Sequence, residues 1–370
     1  MGYNTPEFTY SLSTPKAQSQ IKKVPMKQFL QLTIITLTAL LIFGCARREN
    51  PVTPKETGLI LISETKTPGR AMDIFVHSDT MFVADNEIGV TIWDISDITS
   101  PVLLNTIETD FKTKRLDYNA ERRLLFIIES DQTSVYSLDS LTVGFDDEVF
   151  NPQETGAKSV AQYTYSGDTL VVGVVEPGEG HRLYKTFRYE ASGNFYPNDL
   201  NASISGQYYG LFLDKTSSLS YLAAGQRGLH IMSHEIITGL NAPTLTLIGT
   251  ADSYGSAYDI TLNDDKTLAI LADGAGGIQL FDIADSHNPF KVGELRQSNV
   301  ADVERVKAVG DTVYFIDKYD GLFAADISNP ETPVLIGEYD APSPVGLWVL
   351  EDHTVFIADE DHGVLILQWR

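Results

Sequence analysis

The sequence predicts an all-β fold: a seven-bladed β-propeller of four-stranded antiparallel blades, closed by an N-terminal strand that completes the last blade. Three observations carry this. First, a unit of strand, acidic turn, proline and second strand recurs as GVTIWDISDITSPVLLNTI from Gly89, GIQLFDIADSHNPFKVGEL from Gly277 and GLFAADISNPETPVLIGEY from Gly321. Such a hairpin cannot bury its apolar face alone and must stack against copies of itself. Second, glycines at 89, 228, 277, 321 and 363 mark the repeat, and the 139 residues from 89 to 228 hold three steps of about 46, which makes seven units. Third, the last unit is one strand short, while a single unpaired strand opens the folded part of the chain.

That opening strand is Gly58 to Ile62. The first unit follows with Ala71 to Val76, Thr80 to Ala84, Val90 to Trp93 and Val102 to Ile107. A second unit, RLDYN, RRLLFIIES and TSVYSL, has an uncertain fourth strand running to Pro152. A third reads SVAQYTYSG, DTLVVGVVE, HRLYKTFRYEA and GNFYP, with a longer, aromatic outer hairpin. The fourth (YYGLFLDKT, SLSYLAAGQ, RGLHIMSHE, PTLTLIGT) and fifth (SAYDITLND, KTLAILADGAG, GIQLFDIADSHNP, FKVGELRQ) regain the pattern. The sixth is VERVKAVGD, TVYFIDKYD, GLFAADISNPETP and VLIGEYDAP; the seventh is VGLWVLED, TVFIADEDH and GVLILQW. Pairing the first strand with the last closes the ring and removes both exposed edges. No ten-residue amphipathic helix lies between the strands, which excludes alternating α/β layers. Subdividing residues 109 to 205 differently would give eight blades.

The whole chain has 27 basic and 50 acidic residues. Without residues 1–44, which hold Lys16, Lys22, Lys23, Lys27 and Glu7, it has 23 against 49. Such a surface repels nucleic-acid phosphates and anionic lipid headgroups and favours cations or basic partners. The single cysteine, Cys45, rules out an intrachain disulfide.

Residues 1–44 divide into a polar stretch and, from Met26, a short basic start followed by FLQLTIITLTALLIF and Gly44-Cys45. This is the order of a signal peptide, too short and too sharply ended for a membrane span. Met26 is a candidate initiator. Ile42, Phe43, Gly44 and Cys45 resemble the end of a bacterial lipoprotein signal, which implies cleavage before Cys45 and acylation of its thiol. Residues 45–57 then form a polar, proline-containing tether, and 58–370 a single propeller domain. The resemblance implies a place in the bacterial cell envelope, anchored to the outer membrane or displayed at the cell surface.

VTIWDISDITSPVLLNTI, IQLFDIADSHNPFKVGEL and LFAADISNPETPVLIGEY also resemble the LVIVD-repeat propellers of bacterial and archaeal surface proteins. The copy IMSHEIITGLNAPTLTLIG departs, with Ser233 in place of the aspartate. The family implies a propeller, often secreted or anchored, with no common chemistry and no catalytic residues to carry over.

Asp94, Asp282 and Asp326 stand where the third strand turns outward, and their carboxylates suit the backbone amides of that turn. A second repeated acid ends the second strand: Asp85, Asp273, Asp317 and Asp359, with Glu129 near the equivalent point. These acids are expected on one rim around the channel mouth, where capping and a solvated face compete with a bound cation, Ca2+ being the candidate. No loop has the EF-hand order, and no acid pair is spaced for glycoside hydrolysis. His230 and His234 lie in a strand, where a four-residue spacing has no value for zinc. Nucleophile-elbow, phosphate-loop and dinucleotide motifs are absent. Tyr184, Phe187, Tyr189, Phe195 and Tyr196 concentrate in the third unit, either packing between blades or offering an interaction surface. Together these readings favour a non-enzymatic extracytoplasmic lipoprotein whose propeller face binds a protein or polysaccharide of the envelope. The alternative is a carbohydrate-active enzyme using the rim acids.

Overall fold

The computed structural model describes residues 58–138, 148–150, 156–166, 169–188, 195–196, 201–237, 241–296 and 302–370. Cys45, the signal and tether segments and Tyr189 lie outside them, as do the side chains of Phe187, Phe195 and Tyr196. Seven antiparallel sheets follow one another along the chain. Their inner strands are Ala71–His77, Thr113–Asn119, Ser159–Ser166, Gly210–Asp214, Asp259–Leu262, Val303–Val309 and Pro344–Val349. Each inner strand packs beside the next, and the seventh beside the first, so the sheets form a closed ring of blades.

Closure is made by Leu59–Thr65, which pairs antiparallel with the final strand Gly363–Trp369. Leu59 lies opposite Trp369 and Thr65 opposite Val364. The strand is longer than its sequence suggested, continuing past a bulge between Leu61 and Ser63. Its start is pinned as well: Arg370 N–H donates to Gly58 O at 2.7 Å, and the Trp369 indole donates to Tyr314 Oη at 2.7 Å.

The hydrophobic core is a set of layers, one in each space between blades. Ile270, Phe315 and Phe323 fill the space between blades 5 and 6, Tyr314, Ile357 and Leu367 that between 6 and 7, and Val83, Phe356 and Ile366 that between 7 and 1. Second strands are therefore covered on both faces. Leu124–Glu129, Leu268–Ala272 and Val355–Asp359 are buried along their whole length, which is why they read as unbroken apolar runs rather than alternations. Outer strands such as Val102–Glu108 alternate only weakly and are half in solvent.

The leading glycine of the repeat has a steric cause. Gly321 has φ +102°, and a Cβ there would lie 2.3 Å from Tyr339 O of the neighbouring outer strand. The faded third blade keeps this device at Gly180, with φ +117° and the same encroachment on Ile204 O. That identifies Asn201–Ile204 as the main outer strand of blade 3. The expected outer strand GNFYP supplies only the two-residue Phe195–Tyr196, which pairs with the far end of the same neighbour. In blade 2 the uncertain fourth strand is Glu148–Phe150.

Removing residues 59–65 strips blade 7 of its outer strand and leaves Gly363–Trp369 as an open edge. We expect the thermal midpoint to fall by about 10 °C or more, with association of the truncated chain. Scanning calorimetry and light scattering on the two proteins check this; an unchanged, cooperative melt would contradict the closure.

Candidate functional site

The acids at the ends of the second strands do not form a solvent-exposed rim. Asp85, Asp273, Asp317 and Asp359 are all fully buried, and Glu129 is 1% exposed. The turn that leaves each second strand, and the loop that enters the inner strand beside it, both carry backbone amides with no ladder partner. A short carboxylate satisfies them from inside. Asp317 accepts N–H from Asp302 at 2.6 Å with one oxygen, and from Tyr319 and Asp320 at 2.9 and 3.1 Å with the other. Asp359 does the same for Ser343, Asp361 and His362. Asp273 takes Gly255 N–H and the Ser253 hydroxyl. Glu129 takes Phe111 N–H and the Ser134 hydroxyl. Asp85 is the exception. Neither of its oxygens has a partner in hydrogen-bond geometry, and burial pushes its pKa up to about 6, against the pull of the nearby Gly69 amide. Among the described residues, no group of three or more His, Cys, Asp or Glu is placed to hold a metal ion.

The half-buried aspartates at the ends of the third strands do cap the outward turn. Asp94, Asp282 and Asp326 accept N–H from Ser96, Ala284 and Ser328 at 2.8, 2.9 and 2.8 Å. These turns have a second use. A Cβ at Gly249 would lie 2.1 Å from Ser286 O, and one at Gly293 1.9 Å from Pro330 O, so the outer-strand glycine seats the next blade's turn. Between blades 7 and 1 Ser63 takes the glycine's place and donates to Ile98 O at 2.6 Å.

Tyr184 is 6% exposed and packs in the layer between blades 2 and 3 with Phe126 and Val172, so it belongs to the core and not to an interaction surface. The histidines of blade 4 are also internal. His234 shares hydrogen bonds with Tyr163 Oη (2.9 Å) and Ser220 Oγ (3.2 Å), and Ser220 with His181 (3.3 Å). Burial pulls both histidines down to about 4, so at neutral pH they join blades 3 and 4 as uncharged groups.

One concave site among the described residues is axial. A cavity of about 370 Å³ opens at the start of the inner strands, and all seven blades line it. Met72, Lys114, Glu304 and Val345 reach it because each is the extra residue of a β-bulge, where the register slips between Ala71 and Asp73, Thr113 and Arg115, Val303 and Arg305, and Pro344 and Gly346. Tyr209 and Tyr258 add aromatic wall, and Arg115, Lys158, Arg305, Lys318 and Glu360 complete the polar lining. Five lining side chains are basic and two acidic, the reverse of the chain as a whole. Glu304 is paired with Lys318 at 3.1 Å and Glu360 with Arg70 at 3.4 Å.

Below the mouth a pattern of three residues occurs twice. Gly346, Asp73 and Arg115 occupy equivalent positions in blades 7, 1 and 2; Gly210, Asp259 and Arg305 do so in blades 4, 5 and 6. The glycine makes room: its Cβ would sit 2.7 Å from the Cα of the following aspartate in both cases. The aspartate then accepts N–H from the next inner strand, Asp73 from Leu116 at 3.1 Å and Asp259 from Val306 at 3.3 Å. One step further along the axis, Lys307 Nζ lies 4.3 Å from the Trp348 ring, and Phe75 packs on that ring at 4.1 Å. Asp117 is held at about 6 by burial.

The family model of the LVIVD repeat matches residues 68–109 and 301–341, which are blades 1 and 6. This chain carries LVIVD repeats. Among solved structures it is similar to the crystal structure of the WD40 beta propeller domain of Doa1, with TM-score 0.61 and 12% identity over 85% of this chain and 98% of that one. Identity so low speaks for the fold alone. Comparison with curated proteins finds no match.

The sequence holds a trace of the axial site. Aligned on the second-strand acid, the inner strands AMDIF and AYDIT share the aspartate below the mouth, and TKRLD and VERVK share the arginine. The bulges that turn the preceding residue inward have no signature of their own.

Asp85→Asn removes a buried charge without partners. It should raise the unfolding free energy by about 1–3 kcal/mol at pH 8, with the gain vanishing towards pH 4. The sign follows from a folded pKa above the unfolded one: the wild-type carboxyl is tolerated while protonated and penalised as pH rises through 6. Asp317→Ala should instead cost about 3 kcal/mol, because three amides lose their acceptor. Denaturant titrations at both pH values separate the two cases.

Proposed function

We infer a binding or scaffold role from a propeller that carries LVIVD repeats. We propose that the protein is a non-enzymatic, lipid-anchored binding protein of the bacterial cell envelope, whose axial mouth receives part of an envelope polysaccharide or protein. The observation that carries this is the axial cavity to which every blade contributes, four of them through bulges that turn a side chain away from the sheet and into the opening. Convergent polar groups among apolar walls are the usual make-up of a ligand pocket. The enzymatic alternative is weakened by the same geometry. The acids it needs are buried, and Asp273, Asp317 and Asp359 are committed to backbone amides. Anchoring rests on the segment ending Ile42-Phe43-Gly44-Cys45 and the polar tether after it.

Two measurements test the parts separately. Cys45→Ser, expressed in bacteria, should leave the detergent-extracted membrane fraction for the soluble one and lose the acyl mass; a wild-type protein of unmodified mass would refute the anchor. Val345→Trp plugs the mouth without altering a charge. It should abolish capture of envelope glycans or proteins by the immobilised full chain, and capture that survives the plug would place binding elsewhere.

A further inference from the structure

We propose that the axial mouth is an anion site, built for a compact soluble ligand that carries carboxylate or phosphate groups. This deepens the binding role above and rests on it. Lys114 and Arg115 of blade 2, Lys158 of blade 3 and Arg305 of blade 6 converge on one cavity. Among the described residues none of the four is in a salt bridge, while the two acids of the lining are already paired with Lys318 and Arg70. Their proximity is mutual: the Lys158 ammonium is pulled below its usual range first by burial and then by Lys114, Arg115 and Arg305.

Arg305 carries the argument furthest. Its Nη1 donates to Glu304 O at 2.7 Å, which holds the guanidinium against the cavity wall. A guanidinium held at a cavity wall presents its cavity-facing N–H groups as a planar fork, which suits the two oxygens of a carboxylate or phosphate. Asp259 and Asp73 act on the Arg305 charge through space, but neither forms an ion pair or hydrogen bond with it, and each directs an oxygen to a backbone amide of the next blade. The chain as a whole is acidic, with a net charge of -23, so a local excess of cations at one opening does not follow from composition. Low-dielectric walls, here Met72, Tyr209 and Tyr258, concentrate such a field in the opening. A flat anionic bilayer would meet the surface of a net-acidic protein, whereas a small ligand enters the cavity alone.

The test is calorimetric titration of the full chain in neutral detergent with citrate, inorganic phosphate and trigalacturonate, with maltotriose as the uncharged control and phosphatidylglycerol vesicles as the bilayer control. At least one soluble anion should bind one to one, more weakly as salt rises. Lys158→Gln, at an exposed position with no demand on the fold, should weaken that binding about fivefold, and Arg305→Gln about tenfold or more. Lys291→Gln on the outer strand of blade 5 should change it less than twofold. Absence of saturable binding by all three anions overturns the assignment, as does equal weakening by Lys291→Gln or binding to vesicles alone. If maltotriose binds and Val345→Trp abolishes it while the anions fail, the mouth remains a binding site and only its anionic character falls. If nothing binds there, both fall together.

Discussion

Every blade of this protein borrows its core from its neighbours. The second strands are covered on both faces, and each apolar layer is made half by one blade and half by the next, so no blade is stable as a separate sheet. The constraint is topological before it is energetic: seven sheets satisfy one another only if the last meets the first. Leu59–Thr65 on Gly363–Trp369 makes that meeting with chain from both ends, so the ring cannot open without breaking the hydrogen-bond ladder of a blade. The position of every inner strand, and therefore the shape of the axial mouth, depends on this closure.

Charge is handled in two ways inside the ring. At the turns, buried carboxylates meet backbone amides, and their role is to hold the loop entering a blade against the turn within it. Along the axis, aspartates and basic side chains face one another across inner strands, with glycine admitting the close approach. The first arrangement is repeated and local; Asp317 and Asp359 make nearly the same three bonds. The second differs from blade to blade, and this variation gives the mouth its chemistry.

The fold was legible because its signals are local and periodic. Leading glycines, Asx turns and apolar second strands recur at near-constant spacing, and the missing strand at one end matched the spare strand at the other. Blade 3 was placed but its outer edge misread, since an aromatic pair, Phe195–Tyr196, looked more strand-like than the polar Asn201–Ile204 that does the pairing. The site was much less legible. Repeated acids suggested a rim, yet a carboxylate beside unpaired amides is drawn inward, and sequence does not distinguish an acid facing water from one facing a turn. The true lining is drawn from all seven blades, in four of them through a residue displaced by a bulge, so its members lie far apart along the chain and share no motif.

The two runs of glycine, aspartate and arginine occupy six blades of a ring of seven. Blade 3 is left over, and it is also the blade that contributes Lys158. An odd member among paired runs removes every rotational symmetry from the mouth. Although the scaffold is nearly sevenfold, its charges coincide with themselves at a single azimuth, so the repeat that builds the ring does not make its centre ambiguous.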